Sequence, residues 1–258
     1  DVLGSRGLGD VYKRQTLNRL VKRGNNAERV DKVTQQRIKI GGFGSWLWVI
    51  GMVILISVVQ LPLLQLNHGS LSHRVLWSGI YLAGFVITAL IGFWRYRQIH
   101  PVNWQRLTGQ NWVQMVKGYG FIILSEFILS GLTSVLYHQT STANNQAIGT
   151  LMGRSSLTMI LLSLTAVLGS PIIEELTFRG LLIDGCFAPR SFWLSIVVSG
   201  IAFSIPHASS NPISWLLYAV MGGTLAYVYR RTGKLQSSIL LHGFNNLVAV
   251  GLMLLTLK

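Results

Sequence analysis

The stretch Pro171-Ile172-Ile173-Glu174-Glu175-Leu176-Thr177-Phe178-Arg179-Gly180-Leu181-Leu182 places three charged residues inside an apolar run that extends from about residue 155 to 187. That run exceeds the roughly 20 residues that a helix needs to cross the hydrocarbon core of a bilayer. A charged side chain at membrane depth is costly, so it is expected to have a partner or a chemical role. The stretch therefore indicates a membrane helix that carries a candidate functional site.

The composition of the whole chain supports this interpretation. Half of the 258 residues are hydrophobic and 12% are charged, which is about half the charged share of a soluble globular protein. The net charge is +14, yet residues 45–258 contain only four carboxylates, namely Glu126, Glu174, Glu175 and Asp184. The single cysteine, Cys186, excludes a disulfide framework and a multi-cysteine metal site. A soluble enzyme is therefore excluded in favour of an integral membrane protein.

The first 44 residues are polar and fall into two parts. Residues 1–15 contain SRGLGDVYKRQ, which resembles a translated sequencing-library adapter and carries no information about the fold. We therefore expect the chain to lack its true N-terminus. Residues 16–44 are basic and show no apolar periodicity, so they are predicted to form a cytoplasmic arm near anionic lipid. Nucleic-acid binding is the other common interpretation of a basic run, and we do not favour it here.

Seven apolar runs predict an all-α, polytopic membrane protein with about seven transmembrane helices, because only helices satisfy the backbone of such segments within lipid. The runs are 45–66, 75–94, 118–137, 155–187, 191–206, 212–229 and 236–257. Residues 45–149 are predicted to form an N-terminal group of transmembrane helices. Residues 150–258 are predicted to form a second domain, with a catalytic cluster inside the bundle.

Basic residues occur in alternate loops, and this pattern predicts the orientation in the membrane. The basic loop residues are Arg95, Arg97, Arg106, Lys117, Arg190, Arg230, Arg231 and Lys234. The loops 138–150 and 207–211 contain no lysine or arginine. Seven spans with a cytoplasmic N-terminus satisfy this alternation, with Arg154 and Lys258 as exceptions. The cell (plasma) membrane is the expected location.

Glu174 and Glu175 are adjacent, so on a helix their side chains point about 100° apart. Glu175 and Arg179 are four residues apart with the acid first, which favours an ion pair. That pair would leave Glu174 without a local counter-charge, and such a carboxylate is a candidate general base. The alternative is a simple helix start, with Ser170 as N-cap and Pro171 in the first turn.

Two further polar sites lie in apolar runs. His207 follows Phe203-Ser204-Ile205-Pro206, and helix rise places it and Glu174 at similar depths, about 26 and 21 Å from the turn at 188–190. His242 and Asn246 share one helical face, about 13 Å or more from their own loop, whereas Asn245 is expected to point elsewhere. Packed histidines and interhelical hydrogen bonds are the alternatives. No role is predicted for Glu126.

Three motifs in this order resemble those of the CAAX prenyl protease and bacteriocin-immunity (CPBP, also called Abi) family of intramembrane proteases. The motifs are EExxxR at 174–179, FxxxH at 203–207 and HxxxN at 242–246, and the resemblance covers roughly residues 150–257. It implies that Glu174 and His207 activate a water molecule for attack on a peptide carbonyl. His242 and Asn246 would bind the oxyanion, and Glu175 and Arg179 would support the site.

The resemblance leaves the use of a metal open, because family members are described both as metalloproteases and as metal-free glutamate proteases. Glu174, His207 and His242 could together ligate zinc. None of the six histidines begins an HExxH motif, so we expect no cofactor, with zinc as the alternative.

The expected function is an intramembrane endopeptidase that acts on a membrane-associated peptide near the cytoplasmic face. The resemblance implies a prenylated, CAAX-type substrate. The expected partners are the lipid bilayer and this peptide substrate, with no nucleic acid. A non-catalytic immunity or scaffold protein is the main alternative. A proton-coupled transporter that uses Glu126 and Glu174 is a third possibility, although the sequence shows no internal repeat of the kind common in transporters.

Overall fold

A computed structural model describes residues 42–66, 69–100 and 106–256 of the chain. Throughout these residues the regular structure is helical, as the sequence predicts. The expectations for residues 1–15, and for all but the last three residues of the basic arm at 16–44, lie outside the described residues.

Eight helical elements, α1–α8, follow one another along the described chain. They are α1 Phe43–Val58, α2 Leu71–Ile99, α3 Gly109–Tyr137, α4 Ala143–Met152, α5 Ser156–Cys186, α6 Phe192–Ser204, α7 Pro212–Thr232 and α8 Leu235–Thr256. A short 3-10 helix, Leu61–Gln65, follows α1.

Five of the described helical segments are long and apolar enough to cross a membrane: α2, α3, α5, α8 and the segment Phe43–Gln65, which includes α1. Helix α6 has 13 residues, too few to cross the hydrocarbon core unaided. The polytopic helical fold is therefore confirmed, whereas the count of seven spans is not. The expected loop 138–150 instead contains α4, which begins where the Thr142 hydroxyl accepts a hydrogen bond from the Asn145 N–H at 3.2 Å.

Several of these helices begin at a polar side chain that accepts a hydrogen bond from a free backbone N–H group of the first turn. Thr108 and Asn111 form a capping box at α3, and Asn211 and Ser214 form another at α7. Helix α7 ends at Gly233, whose φ of 64° suits glycine better than other residues. These capping residues therefore determine where α3 and α7 begin and where α7 ends.

Helix α5 is irregular at Pro171. The helix does not begin at Ser170, so the simple helix-start interpretation is wrong. A π-helical turn, Thr165–Gly169, leads into the α-helical segment Ser170–Glu175, and a second π-helical turn, Leu176–Leu181, follows. Proline has no N–H to donate and clashes with the preceding turn of a regular helix, and a π turn is one way in which a long helix accommodates such a break.

Helices α6 and α7 form a closely packed hairpin. A Cβ atom on Gly200 of α6 would lie 2.6 Å from the Ala219 carbonyl oxygen and 2.9 Å from the Gly223 nitrogen of α7. Small residues of this kind allow membrane helices to approach each other closely. The approach brings the Phe203 end of α6 against Gly222 of α7.

Side-chain contacts identify two opposite ends of the bundle. At the basic end, Arg230 donates to the Pro189 carbonyl at 2.6 Å and Lys234 to the Arg106 carbonyl at 2.6 Å. At the other end, which we call the polar end, the loop before α4 meets the loop before α7. There the Gln139 side chain accepts hydrogen bonds from Ser210 at 2.7 Å and Asn211 at 2.8 Å.

We predict that Gly200→Ala lowers the stability of the detergent-solubilised protein by about 1–3 kcal/mol, because its methyl group overlaps the α7 backbone. Thermal unfolding measures this change. Gly131→Ala is the matched control, since a Cβ at Gly131 meets nothing within 4 Å. Equal unfolding temperatures for the two variants would contradict the close packing of α6 on α7.

Candidate active site

The Glu174 carboxylate and two imidazole rings meet inside the bundle. Oε2 of Glu174 lies 4.0 Å from Nε2 of His207 and 3.9 Å from Nε2 of His242. The three side chains come from α5, the turn after α6 and α8. Oε2 of Glu174 is buried without a hydrogen-bond partner, and a buried polar atom of this kind needs explanation.

Glu175, next to Glu174, binds both a guanidinium and an imidazole. Its Oε1 lies 3.0 Å from Nη1 of Arg179 and 3.0 Å from Nδ1 of His242. Glu175 and Arg179 are both 0% exposed, and Nη2 of Arg179 donates to the Gly222 carbonyl at 2.6 Å. The predicted Glu175–Arg179 pair is therefore present, and Arg179 forms its close ion pair with Glu175 rather than with Glu174.

These contacts fix which ring nitrogens carry protons. Nδ1 of His207 lies 2.7 Å from the Phe203 carbonyl, and Nδ1 of His242 lies 3.0 Å from a Glu175 oxygen. A carbonyl and an ionised carboxylate are acceptors only, so each Nδ1 must be the donor. The Nε2 atom of each neutral ring is then an acceptor that faces Glu174.

Pro206 and two aromatic rings orient His207. Helix α6 ends at Ser204, and the His207 N–H donates to the Ser204 carbonyl at 3.2 Å in the turn that follows. The imidazole stacks between Phe203, with ring centroids 4.5 Å apart, and Tyr218, with centroids 4.6 Å apart. The break before His207 thus leaves this side chain held on both faces. No sequence signal in α7 marked Tyr218 as a site residue.

Asn246 lies near the Pro171 irregularity. Its Nδ2 donates to the Ala166 carbonyl at 2.9 Å. Ala166 is five residues before Pro171, so its carbonyl would pair with that residue in a π-helical turn, but proline has no N–H to offer. Asn246 therefore satisfies a backbone group of α5 with one amide hydrogen and retains a second amide hydrogen.

Asn245 is also buried, and it contacts a different helix from the one that Asn246 contacts, in keeping with the expectation that it points elsewhere. It is 5% exposed, and its Nδ2 lies 3.6 Å from the Met221 sulfur. Glu126, for which the sequence suggested no role, lies near Asn245. The i,i+4 spacing that marked His242 and Asn246 gave no signal for either of these residues.

A cavity of about 780 Å³ adjoins this cluster. The cavity is lined by all four predicted catalytic residues, Glu174, His207, His242 and Asn246. It is also lined by Glu126, Tyr218 and Asn245. The cavity is within the size range of small-molecule and peptide side-chain sites. A substrate group could therefore reach the carboxylate and both imidazoles from one space.

The donor set of one carboxylate and two imidazoles suits zinc chemically, but its spacing does not. Ligands of a tetrahedral zinc ion lie about 3.3 Å apart, given metal–ligand distances near 2.0–2.1 Å. Glu174 lies 3.9 and 4.0 Å from the two histidine Nε2 atoms. Among the residues that the structure describes, no group of three or more His, Cys, Asp or Glu side chains is arranged to hold a metal ion.

The fold and this cluster define an integral membrane protein with a carboxylate–imidazole centre inside a helical bundle. Residues 156–248 match the Rce1-like family of type II CAAX prenyl endopeptidases. This match supports the resemblance to the CPBP family of intramembrane proteases, and at the family level it supports a CAAX-type membrane protease.

The chain is also similar to a protein of Bacillus subtilis (strain 168) named "Putative membrane peptidase YdiL". The two are 25% identical over 186 residues, which cover 71% of this chain and 74% of the relative. A comparison with solved structures gave no significant match.

We predict that Glu175→Gln lowers stability by about 3–5 kcal/mol, because it leaves the Arg179 guanidinium buried without its counter-charge. Glu174→Gln is the matched variant one residue away, and it should change stability by about 1 kcal/mol or less because Oε2 makes no hydrogen bond. Thermal unfolding in one detergent compares the two. Equal destabilisation would contradict the division of the two carboxylates into a paired and a free one.

Proposed function

We propose that the protein is an intramembrane endopeptidase in which Glu174 and His207 activate a water molecule for attack on a peptide bond. The observation that carries this proposal is the unpartnered Oε2 of Glu174 between two imidazole Nε2 atoms. Separations of 4 Å are too long for direct hydrogen bonds. A water molecule beside Glu174 and Nε2 of His207 could bridge these two acceptors.

In this mechanism the water donates one hydrogen to Glu174 and the other to Nε2 of His207. Its lone pair then faces the substrate carbonyl in the cavity. As the oxygen attacks the carbonyl carbon, Glu174 takes the proton and the carbonyl oxygen becomes an oxyanion. Such positioned proton transfer typically contributes about 10²–10⁴-fold to the rate.

His242 and Asn246 are the proposed oxyanion donors. The Nδ2 atom of Asn246 carries two hydrogens, and only one of them is donated to the Ala166 carbonyl. Nε2 of His242 donates only when the ring is doubly protonated, since its Nδ1 proton is directed at Glu175. That cation would lie 3.0 Å from Glu175 and 3.9 Å from Glu174, and donors already positioned for a developing oxyanion contribute strongly to catalysis.

Charge balance supports a mobile proton at this site. Glu174 and Glu175 carry two negative charges against one positive charge on Arg179, so the cluster has an excess of one negative charge with both rings neutral. Buried net charge is costly, so the transfer of a proton from the attacking water to Glu174 would remove this excess. In the proposed reaction, the proton taken by Glu174 passes to the leaving amine when the peptide bond breaks.

The proposed substrate is a membrane-associated peptide, because the site lies within a bundle in which five described helical segments are long and apolar enough to cross a membrane. The proposed orientation has the N-terminus in the cytoplasm. A prenylated CAAX-type peptide is the first class to test, since the family is named for this activity. The cell membrane is the proposed location.

We predict that Glu174→Gln and His207→Ala each lower kcat at least 10²-fold, because each removes a group that contacts the attacking water. Purified variants are assayed with a library of internally quenched peptides that includes farnesylated and unmodified CAAX-type members. Asp184→Asn is the control acid-to-amide change. His138→Asn is the control histidine substitution. His138 has a φ of 53°, and asparagine tolerates this left-handed backbone conformation.

Wild-type activity in either folded site variant would contradict the proposed mechanism. Absence of cleavage by a folded wild-type protein would favour the scaffold or immunity alternative. Treatment with a chelator should leave the activity unchanged. If the chelator abolishes activity and added zinc restores it, a metal ion held by Glu174, His207 and His242 activates the water instead.

A further inference from the structure

Glu126 is a carboxylate that the proposed mechanism does not use. It lies within α3, which is long and apolar enough to cross a membrane, and it lines the same cavity as Glu174. The residues three and four positions away on its own helix are uncharged, namely Ile122, Ile123, Leu129 and Ser130. Among the residues that the structure describes, Glu126 forms no ion pair. An ionisable side chain within a membrane helix and without a counter-charge is a candidate functional residue.

Two neighbouring side chains place Glu126 beside the catalytic centre. One is Asn245, which is 5% exposed and lies near Glu126. Asn245 directly precedes Asn246 in α8. The other is Tyr218, whose ring stacks on His207 with centroids 4.6 Å apart. A substrate group at Glu126 would therefore occupy the same cavity as a peptide bond at the catalytic cluster.

The charged side chains that line this cavity are negative. The described lining residues include the carboxylates of Glu126 and Glu174 and contain no lysine or arginine. Arg179 is outside the lining and forms its close ion pair with Glu175. A cleft lined by one sign of charge, with low-dielectric walls, attracts ligands of the opposite charge. The cavity is therefore suited to a cationic group of the substrate.

Apolar side chains lie close to Glu126 in the same lining. Ile123 is one helical turn before it, and Met221 of α7 contacts the Nδ2 atom of Asn245 at 3.6 Å. Lysine and arginine pack their methylene stems along apolar surface and keep the charged group at a polar site. A buried charge also needs a partner, and a basic side chain would supply one to Glu126.

We infer that Glu126 is a specificity-determining residue that binds a basic side chain of the substrate in the catalytic cavity. The substrate class is a membrane-associated peptide with a lysine or arginine in the segment that enters the cavity. Glu126 forms an ion pair with this residue while Glu174 faces the peptide bond. The inference rests on the proposed function, because it names a feature of the peptide substrate.

Paired peptides test this selection. Each pair of internally quenched peptides carries lysine or norleucine at one position, and the position is varied along the peptide. We expect the wild-type protein to cleave the best lysine peptide with a kcat/KM at least 10-fold above that of its norleucine twin, mainly through a lower KM. In Glu126→Gln, which removes the charge and keeps the size, both peptides should be cleaved equally well.

Glu126→Asp and Asp184→Asn are the matched controls. The first keeps a negative charge in the cavity, and the second removes a carboxylate that does not line it. Both variants should retain the preference for lysine. Absence of this preference in the wild-type protein, or its survival in Glu126→Gln, would overturn the inference.

A binding measurement separates this inference from the peptidase proposal. The same peptide pairs, labelled with fluorescein, are titrated into nanodiscs that contain the Glu174→Gln variant, and fluorescence anisotropy reports binding. We expect at least 10-fold tighter binding of a lysine peptide than of its norleucine twin, and loss of this difference when Glu126→Gln is added. Equal binding within every pair, or no binding, would overturn the inference. If the wild-type protein cleaves no peptide but the binding difference is present, the peptidase proposal fails and the assignment of Glu126 stands.

Discussion

The buried chain Arg179–Glu175–His242 is the interaction on which the rest of the site depends. One Glu175 oxygen lies 3.0 Å from both the guanidinium and the imidazole, and the three side chains belong to residues that are at most 2% exposed. A buried charge is tolerated only when it is paired and hydrogen-bonded. By forming this pair with Arg179 and by holding Nδ1 of His242, Glu175 leaves the neighbouring Glu174 free to face the cavity. The different roles of the two adjacent carboxylates, Glu174 and Glu175, follow from this contact.

The irregular backbone of α5 places these groups. Pro171 cannot donate to the carbonyls before it, and π-helical turns precede and follow the segment that carries Glu174 and Glu175. Helix α8 contacts α5 at this break in two places. Asn246 donates a hydrogen bond to the Ala166 carbonyl. Gly243 lies so close to the Val167 carbonyl oxygen that a Cβ atom on residue 243 would be 3.0 Å from that oxygen. The same residues that interrupt α5 therefore fix the position of α8, and with it His242.

Much of this arrangement could be predicted from the sequence because its determinants are local. The i,i+4 spacing of Glu175 and Arg179 predicts their ion pair, and the rarity of carboxylates in an apolar chain marks Glu174. The helix register of α8 relative to α5 is not local. Helix rise alone placed His242 about 8 Å nearer its loop than Glu174 is to its own, yet the two meet, because interhelical packing sets the relative shift of the helices.

Other features could not be predicted for related physical reasons. The short helix α4 lies in a polar segment that lacks apolar periodicity, and its Thr142 cap also hydrogen-bonds Tyr218 at 2.7 Å, a tertiary contact. Asn245 of α8 and Glu126 of α3 lie near each other, so neither residue has this neighbour within its own helix. The number of membrane crossings depends on how α6 and α7 pack, which hydropathy does not determine.

Nitrogen NMR of the protein labelled with ¹⁵N-histidine, in lipid nanodiscs, tests the central claim most directly. Variants that lack His207 or His242 assign the two rings. If the Phe203 carbonyl and the paired Glu175 carboxylate hold the imidazoles as described, both rings carry a proton on Nδ1. A ring with a bare Nδ1 and a protonated Nε2 would show that these acceptors do not orient the histidines, and the free carboxylate of Glu174 would lose its proposed surroundings.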